Sequence, residues 1–194
     1  QMTTYESEIR YMIEDLDVFE KRLDELNAKL IYNYEFSDHY FKPKRISWNP
    51  LYKTIRIREW FKPTKGCEVL FNKVEIMNID GLIFKRSVYP QGKIRILKGN
   101  LRLCKDFLNE LEFEEWFSIE KKNCKLVEIP RYDFRTVYEY VSNLGWTGEL
   151  ETNGDDPEEV KRKLEEWIRI LNIKKENVTY KPLSLIYGEK MGFL

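Results

Sequence analysis

Two pairs of glutamates, Glu6 with Glu8 and Glu149 with Glu151, are each spaced two residues apart. Successive side chains on a β-strand point to opposite faces, so residues two apart share one. Each pair then sets two carboxylates on one face within about 7 Å, where they repel unless a cation lies between them. A hard divalent ion such as Mg²⁺ or Mn²⁺ is the natural occupant of such an all-oxygen site. The same spacing recurs with the opposite sign. Arg10 continues the face of Glu6 and Glu8, Arg56 shares a face with Arg58, Lys73 with Glu75, and Lys93 with Arg95. Arg and Lys on a common face offer charged donors to phosphate oxygens. A lone Glu-x-Glu is most simply a solvated outer face. Recurrence with both signs carries the reading that these faces point into one enclosure, acids on metal and bases on a polyanion.

Each basic pair has a plainer alternative. Arg56 and Arg58 could flank the sheet and meet surface acids, although Ile55 and Ile57 make the alternate face apolar. Lys93 and Arg95 are most simply solvated, as are the charges between Glu158 and Arg169. The five tryptophans are more simply packing than base-stacking platforms.

Other chemistries are short of residues. His39 is the single histidine, so histidine-rich metal sites are excluded and a nucleophile–His machine would depend on that residue alone. A solvent-facing His39 is the expectation. Cys67, Cys104 and Cys124 are odd in number and form no CxxC pair, so neither a disulfide framework nor a structural zinc site is indicated. Carboxylates, Lys and Arg must do the work.

The elements that would hold these residues are mostly short strands. Tyr5–Ile13 alternates charged and apolar residues and reads as a strand. Asp15 caps a helix with Leu16, Phe19, Leu23 and Leu26 on one face, ending near Asn27. Strands are predicted over Lys29–Phe41, Lys53–Trp60, Glu68–Met77, Leu82–Tyr89 and Lys93–Leu97, and a helix over Arg102–Leu111. Further strands follow over Glu114–Lys121, Lys125–Ile129, Phe134–Val141 and Trp146–Thr152. Pro157 opens a helix through Leu171, and the tail Val178–Tyr187 reads as extended. Many strands with short turns suggest an antiparallel sheet, and closing it into a barrel removes its edges.

Size and charge agree with one domain, taken from Met2 to Leu194 with Gln1 set aside. With 33 basic and 33 acidic residues the net charge is zero, so no bulk attraction draws the chain to nucleic acid or anionic lipid. No apolar run approaches the ~20 residues that cross a bilayer, and no signal-peptide pattern opens the chain. The expectation is a cytoplasmic protein without a membrane or nucleic-acid partner. A homodimer, through the 158–171 helix or a sheet face, is left open.

Glu6-Ser7-Glu8-Ile9-Arg10 resembles the ExExK signature of the CYTH, or triphosphate tunnel metalloenzyme, superfamily, with Arg for Lys. Asp38-His39-Tyr40-Phe41 is similar to that family's DxYFD, with Lys42 at the final acid, and Ile55-Arg56-Ile57-Arg58 to its LRIR. Lys73 falls where a lysine follows the next strand's apolar residues. The segment from Tyr140 to Glu151 resembles D-x-V-x-x-L-G-x-F-x-E-I-E, with Tyr140 read at the leading acid. The family's middle RxExE is represented by Lys85-Arg86-Ser87-Val88-Tyr89, which keeps a base and loses both acids; Lys85 and Arg86 compete for the inward face. The later KxR reads Lys121-Lys122-Asn123.

The resemblance implies an α+β fold, a closed eight-stranded antiparallel barrel with flanking helices. It also implies a bound triphosphate: inorganic, nucleoside or thiamine triphosphate. Glu6, Glu8, Glu149 and Glu151 are the expected ligands of Mg²⁺ or Mn²⁺, and Glu6, Glu8 and Arg10 the catalytic candidates. Arg10, Arg56, Arg58, Lys73, Arg86, Lys121 and Arg135 are expected to clamp phosphate. A carboxylate or a water on the metal would be the base. Three functions stay open: a phosphohydrolase, a class IV adenylyl cyclase making cyclic AMP from ATP, and a triphosphate-binding module that lost turnover.

Overall fold

The computed structural model describes residues 5–194. Met2, Thr3 and Thr4 of the expected domain lie outside the described residues. Strand β1 (Tyr5–Met12) leads to helix α1 (Leu16–Glu25), whose first turn is capped by the Asp15 carboxylate accepting from the Val18 amide at 3.1 Å. Asn27 follows at φ 53°, a left-handed stop that Asn tolerates. Then come β2 (Lys29–Pro43), β3 (Lys53–Lys62), β4 (Gly66–Ile79), β5 (Leu82–Ser87), β6 (Ile94–Gly99) and α2 (Leu101–Glu110). Strands β7 (Phe113–Ile129), β8 (Phe134–Val141) and β9 (Gly145–Gly154) precede α3 (Pro157–Ile170), β10 (Val178–Thr179) and α4 (Leu183–Met191).

The pairing closes on itself. Strand order runs β1–β5–β4–β3–β2–β7–β8–β9, and β9 pairs back to β1, with β10 added on β1 and β6 on β4. The fold is the expected α+β class, built on a closed ring of eight antiparallel strands. A ring leaves none of its eight strands as an edge, which is why strands this rich in charge need not be protected from pairing elsewhere.

Two elements differ from expectation. Glu114–Lys121 and Lys125–Ile129 are not separate strands but one 17-residue strand, β7, because Asn123 takes a left-handed φ of 49° and absorbs the irregularity at Lys122-Asn123. The tail is not extended: only Val178–Thr179 is strand, and Leu183–Met191 is helical. Pro182 supplies the preset φ of a helix start, and Leu183 and Tyr187, four apart, bury on one side.

The chain divides into two compact units. One takes in the chain through Asn33 with Ile76–Arg86 and Lys122–Lys181. Its core joins Ile9 and Tyr11 of β1, Phe84 of β5 and Leu150 of β9 to Phe19 and Leu23 of α1 and to Val160, Leu164 and Ile168 of α3. These are alternate residues to Glu8, Arg10 and Glu149, so one face of β1 and β9 is greasy and the other charged. Burying each large apolar side chain contributes about 1.5–3 kcal/mol, which carries the stability that the charged face does not. The second unit is Tyr34–Glu75 with Ser87–Lys121 and Pro182–Leu194. There Phe41, Ile55, Ile57 and Val69 pack on Cys104 and Leu108 of α2, again opposite the charged residues. No helix among the described residues is long and apolar enough to cross a membrane.

Gly148 stands directly across the ladder from Tyr11, which is fully buried and whose hydroxyl shares a 2.7 Å hydrogen bond with Thr136. A Cβ at 148 would overlap the Tyr11 ring. Gly148→Ala is expected to lower unfolding free energy by about 1–3 kcal/mol, the usual cost of overpacking, read as a lower denaturant midpoint.

Candidate metal and phosphate sites

The β1–β9 ladder decides the geometry of the acids. Glu8 lies opposite Glu151 and Arg10 opposite Glu149, so all four share a face. Carboxylate oxygens of Glu8, Glu149 and Glu151 lie within 4.8 Å of one another. Glu6, opposite Asn153 on β9 and Lys85 on β5, is outside that trio but hydrogen-bonds Glu151. Partial burial, then the charges of Glu6, Glu149 and Glu8 and the hydrogen bond to Glu6, push the Glu151 carboxyl up to about 7. Lys85, and not Arg86, joins the acids: its Nζ donates to Glu8 Oε1 at 2.6 Å, while Arg86 lies exposed on the alternate face.

Arg10 is buried and held by its neighbours. Its Nη1 donates to Glu139 Oε1 at 3.0 Å and to Thr147 Oγ1 at 2.9 Å, and its Nη2 to Glu149 Oε2 at 2.6 Å. Burial opposes its charge, but Glu149 and Glu139 outweigh that and raise its pKa further above the ordinary arginine value.

A cationic group occupies the second unit. Asp38 of β2 lies opposite Arg58 of β3, and Tyr40 opposite Arg56. Arg58 grips Asp38 with two bonds of 2.8 and 2.9 Å, Arg56 Nε lies 3.3 Å from Asp38 Oδ2, and Lys121 adds its charge. Burial disfavours the Asp38 carboxylate, yet Arg58 and Arg56 hold it well below the usual range. Arg58 stacks over the Phe36 ring at 4.0 Å and Lys121 over the same ring at 5.1 Å. Arg56 Nε is buried without a hydrogen-bond acceptor. Glu68, buried opposite Arg58, also acts on that arginine and pairs with Arg95, so cations outnumber acids in this group, which suits an anion.

Other expected residues are elsewhere. Lys73 lies opposite Lys53 and alternates with Asn72, so it falls on the face of Ile55, Ile57 and Val69 and is exposed. Arg135 shares its β8 face with Glu139 but is largely exposed and pairs with Glu128 at 3.6 Å. His39 does not face solvent freely: it sits on the face of Ile57, with Nδ1 2.8 Å from Ser118 Oγ and Nε2 3.1 Å from Glu59 Oε1. Arg95 is not merely solvated either, since it pairs with the buried Glu68.

A family model described as the CYTH domain matches residues 4–181. The chain belongs to the CYTH family. Its fold is similar to that of a Pyrococcus horikoshii protein, at 17% identity, TM-score 0.71, and coverage of 96% of this chain and 99% of that one. A conserved hypothetical protein of Pyrococcus furiosus is 23% identical at TM-score 0.68, covering 92% and 97%. A putative adenylyl cyclase from Hippeastrum, described as having a dominant triphosphatase activity, is 13% identical at TM-score 0.65, covering 99% and 97%. Among curated proteins, none is significantly similar in sequence.

CYTH membership also explains a residue that sequence reading missed. Counted back from Leu144-Gly145, the leading acid of D-x-V-x-x-L-G falls on Glu139, two residues before Val141, and not on Tyr140. Glu139 is the acid that holds Arg10, whereas Tyr140 alternates to the other face. Asp38 was visible in the DxYFD resemblance, but its burial between arginines was not. The CYTH family is divalent-metal dependent, and the donor set fits: three close carboxylates, with neither thiolate nor imidazole among them.

Because folding raises the Glu151 pKa, its protonated form stabilises the metal-free protein at low pH, and that contribution fades as pH climbs toward and through about 7. In chelator, the wild type is expected to lose thermal stability between pH 5 and pH 8 relative to Glu151→Gln. Added Mn²⁺ should reverse the loss, because binding favours the ionised carboxylate. Melting curves of both proteins across that range test this.

Proposed function

We propose that this CYTH protein is a divalent-metal-dependent triphosphatase, hydrolysing a phosphoanhydride bond of inorganic or organic triphosphate. The observation that carries the reading is the convergence of Glu8, Glu149 and Glu151 within 4.8 Å. These three hold Mg²⁺ or Mn²⁺, with Lys85 offsetting part of their charge and Glu6 supporting Glu151. The ion, when bound, neutralises and orients phosphate oxygens. In the second unit, taken by itself, Arg56, Arg58 and Lys121 offer charged donors suited to phosphate oxygens, and Asp38 fixes the two guanidinium planes. Water attacks the terminal phosphorus, the anhydride P–O bond breaks and the shortened phosphate leaves. Glu6, exposed and outside the trio, takes the water's proton in this reading. The triphosphatase activity described for the Hippeastrum protein supports the hydrolase over the cyclase.

Phosphate release from tripolyphosphate, ATP and thiamine triphosphate with Mg²⁺ or Mn²⁺ tests the assignment. Glu8→Gln and Glu149→Gln are each expected to slow turnover by about 10²–10³, the cost of losing one preorganised electrostatic partner. Arg58→Ala should weaken anion binding by the second unit's arginine group, read with tripolyphosphate in chelator. Wild-type rates in Glu8→Gln would sink the proposal, and cyclic AMP with pyrophosphate as the products from ATP would replace it with a cyclase.

A further inference from the structure

We infer that Glu139 is a positioning residue for the acidic site, balancing the charge of Arg10 so that Arg10 orients the Glu149 carboxylate toward the metal; this rests on the metal-binding reading of Glu8, Glu149 and Glu151. Glu139 is 1% exposed, Arg10 5% and Thr147 0%, so the contacts among them are shielded from water. A buried guanidinium needs a counter-charge. Glu139 supplies one at 3.0 Å on Nη1, with Thr147 as a neutral acceptor on the same nitrogen. Arg10 and Glu139 together are electrically balanced. The bond from Nη2 to Glu149 Oε2 at 2.6 Å can then orient that carboxylate without cancelling its charge.

The pattern of strands makes the relay rigid. Glu139 and Thr147 lie opposite each other on β8 and β9, Thr147 is two residues from Glu149, and Arg10 crosses to Glu149 from β1. All four groups therefore share one face of three adjacent strands, whose ladders fix their backbone positions. If Glu139 lost its charge, Arg10 would draw on Glu149 alone, and the trio would have one carboxylate less to give a cation. Arg10 accordingly acts within the protein: its side chain is 6% exposed and both its amino nitrogens are already donating.

Glu139→Gln keeps the shape and the hydrogen bond to Arg10 while removing the charge. Mn²⁺ affinity, measured by calorimetric titration of the substrate-free protein, is expected to fall by about 10–100-fold, the range found when a partner behind a metal ligand is lost. Tripolyphosphate binding in chelator should stay at the wild-type value. In a Glu149→Gln background, Glu139→Gln should change Mn²⁺ affinity no further. A melting curve of each variant separates this from unfolding. Should Glu139→Gln fail to fold, Thr147→Val, which removes Arg10's neutral acceptor, carries the same comparison with a smaller expected loss. Wild-type Mn²⁺ affinity in Glu139→Gln, or an equal loss with and without Glu149, overturns the inference while leaving the metal site standing. Absence of Mn²⁺ binding by the wild type overturns the metal site and this inference together.

Discussion

Glu8 and Glu151 stand opposite each other across the β1–β9 ladder, where like charges repel. Glu149 and Glu6 add to the crowd, and partial burial together with these charges raises the Glu151 carboxyl. Much of the surrounding structure answers that repulsion. Lys85 reaches Glu8, and Arg10 is drawn into the interior against its own desolvation by Glu149 and Glu139. A group of acids held together by strand register, with only part of its charge offset, is a site prepared for a cation.

Such a site is stable only because every strand that carries it has a second, apolar face. Ile9 and Tyr11 on β1 and Leu150 on β9 bury against α1 and α3, while the residues between them carry charge. In the second unit Ile55 and Ile57 do the same beneath α2, with Arg56 and Arg58 on the alternate face. The helices are the packing layer that lets one face of the sheet remain charged. Gly148 belongs to this layer too, since its missing side chain leaves room for the Tyr11 ring.

The two units handle charge in opposite ways. Acids predominate on the β1–β9 face, tempered by Lys85 and Arg10. Cations predominate around Asp38, whose carboxylate spans two guanidinium groups and holds their geometry. In both, one buried residue of the minority sign organises the majority: Arg10 among glutamates, Asp38 among arginines. A buried ion of that kind is costly alone and stable only when its partners surround it.

The amino-acid sequence by itself determined the pairs. Two-residue spacing makes Glu6 and Glu8, Glu149 and Glu151, and Arg56 and Arg58 share faces on any strand, and their order carries the family resemblance that implied the closed antiparallel fold. It also determined α1 and α3, whose caps and apolar stripes are local signals. Partners across strands were a different matter, because a one-residue change of register reverses every side chain. Only the tertiary structure decided that Lys73 faces away from Arg56, that Lys85 and not Arg86 meets Glu8, and that Glu139 shares Arg10 with Glu149. Those outcomes depend on which strand lies alongside which, and in what register, and neither is carried by any single stretch of chain.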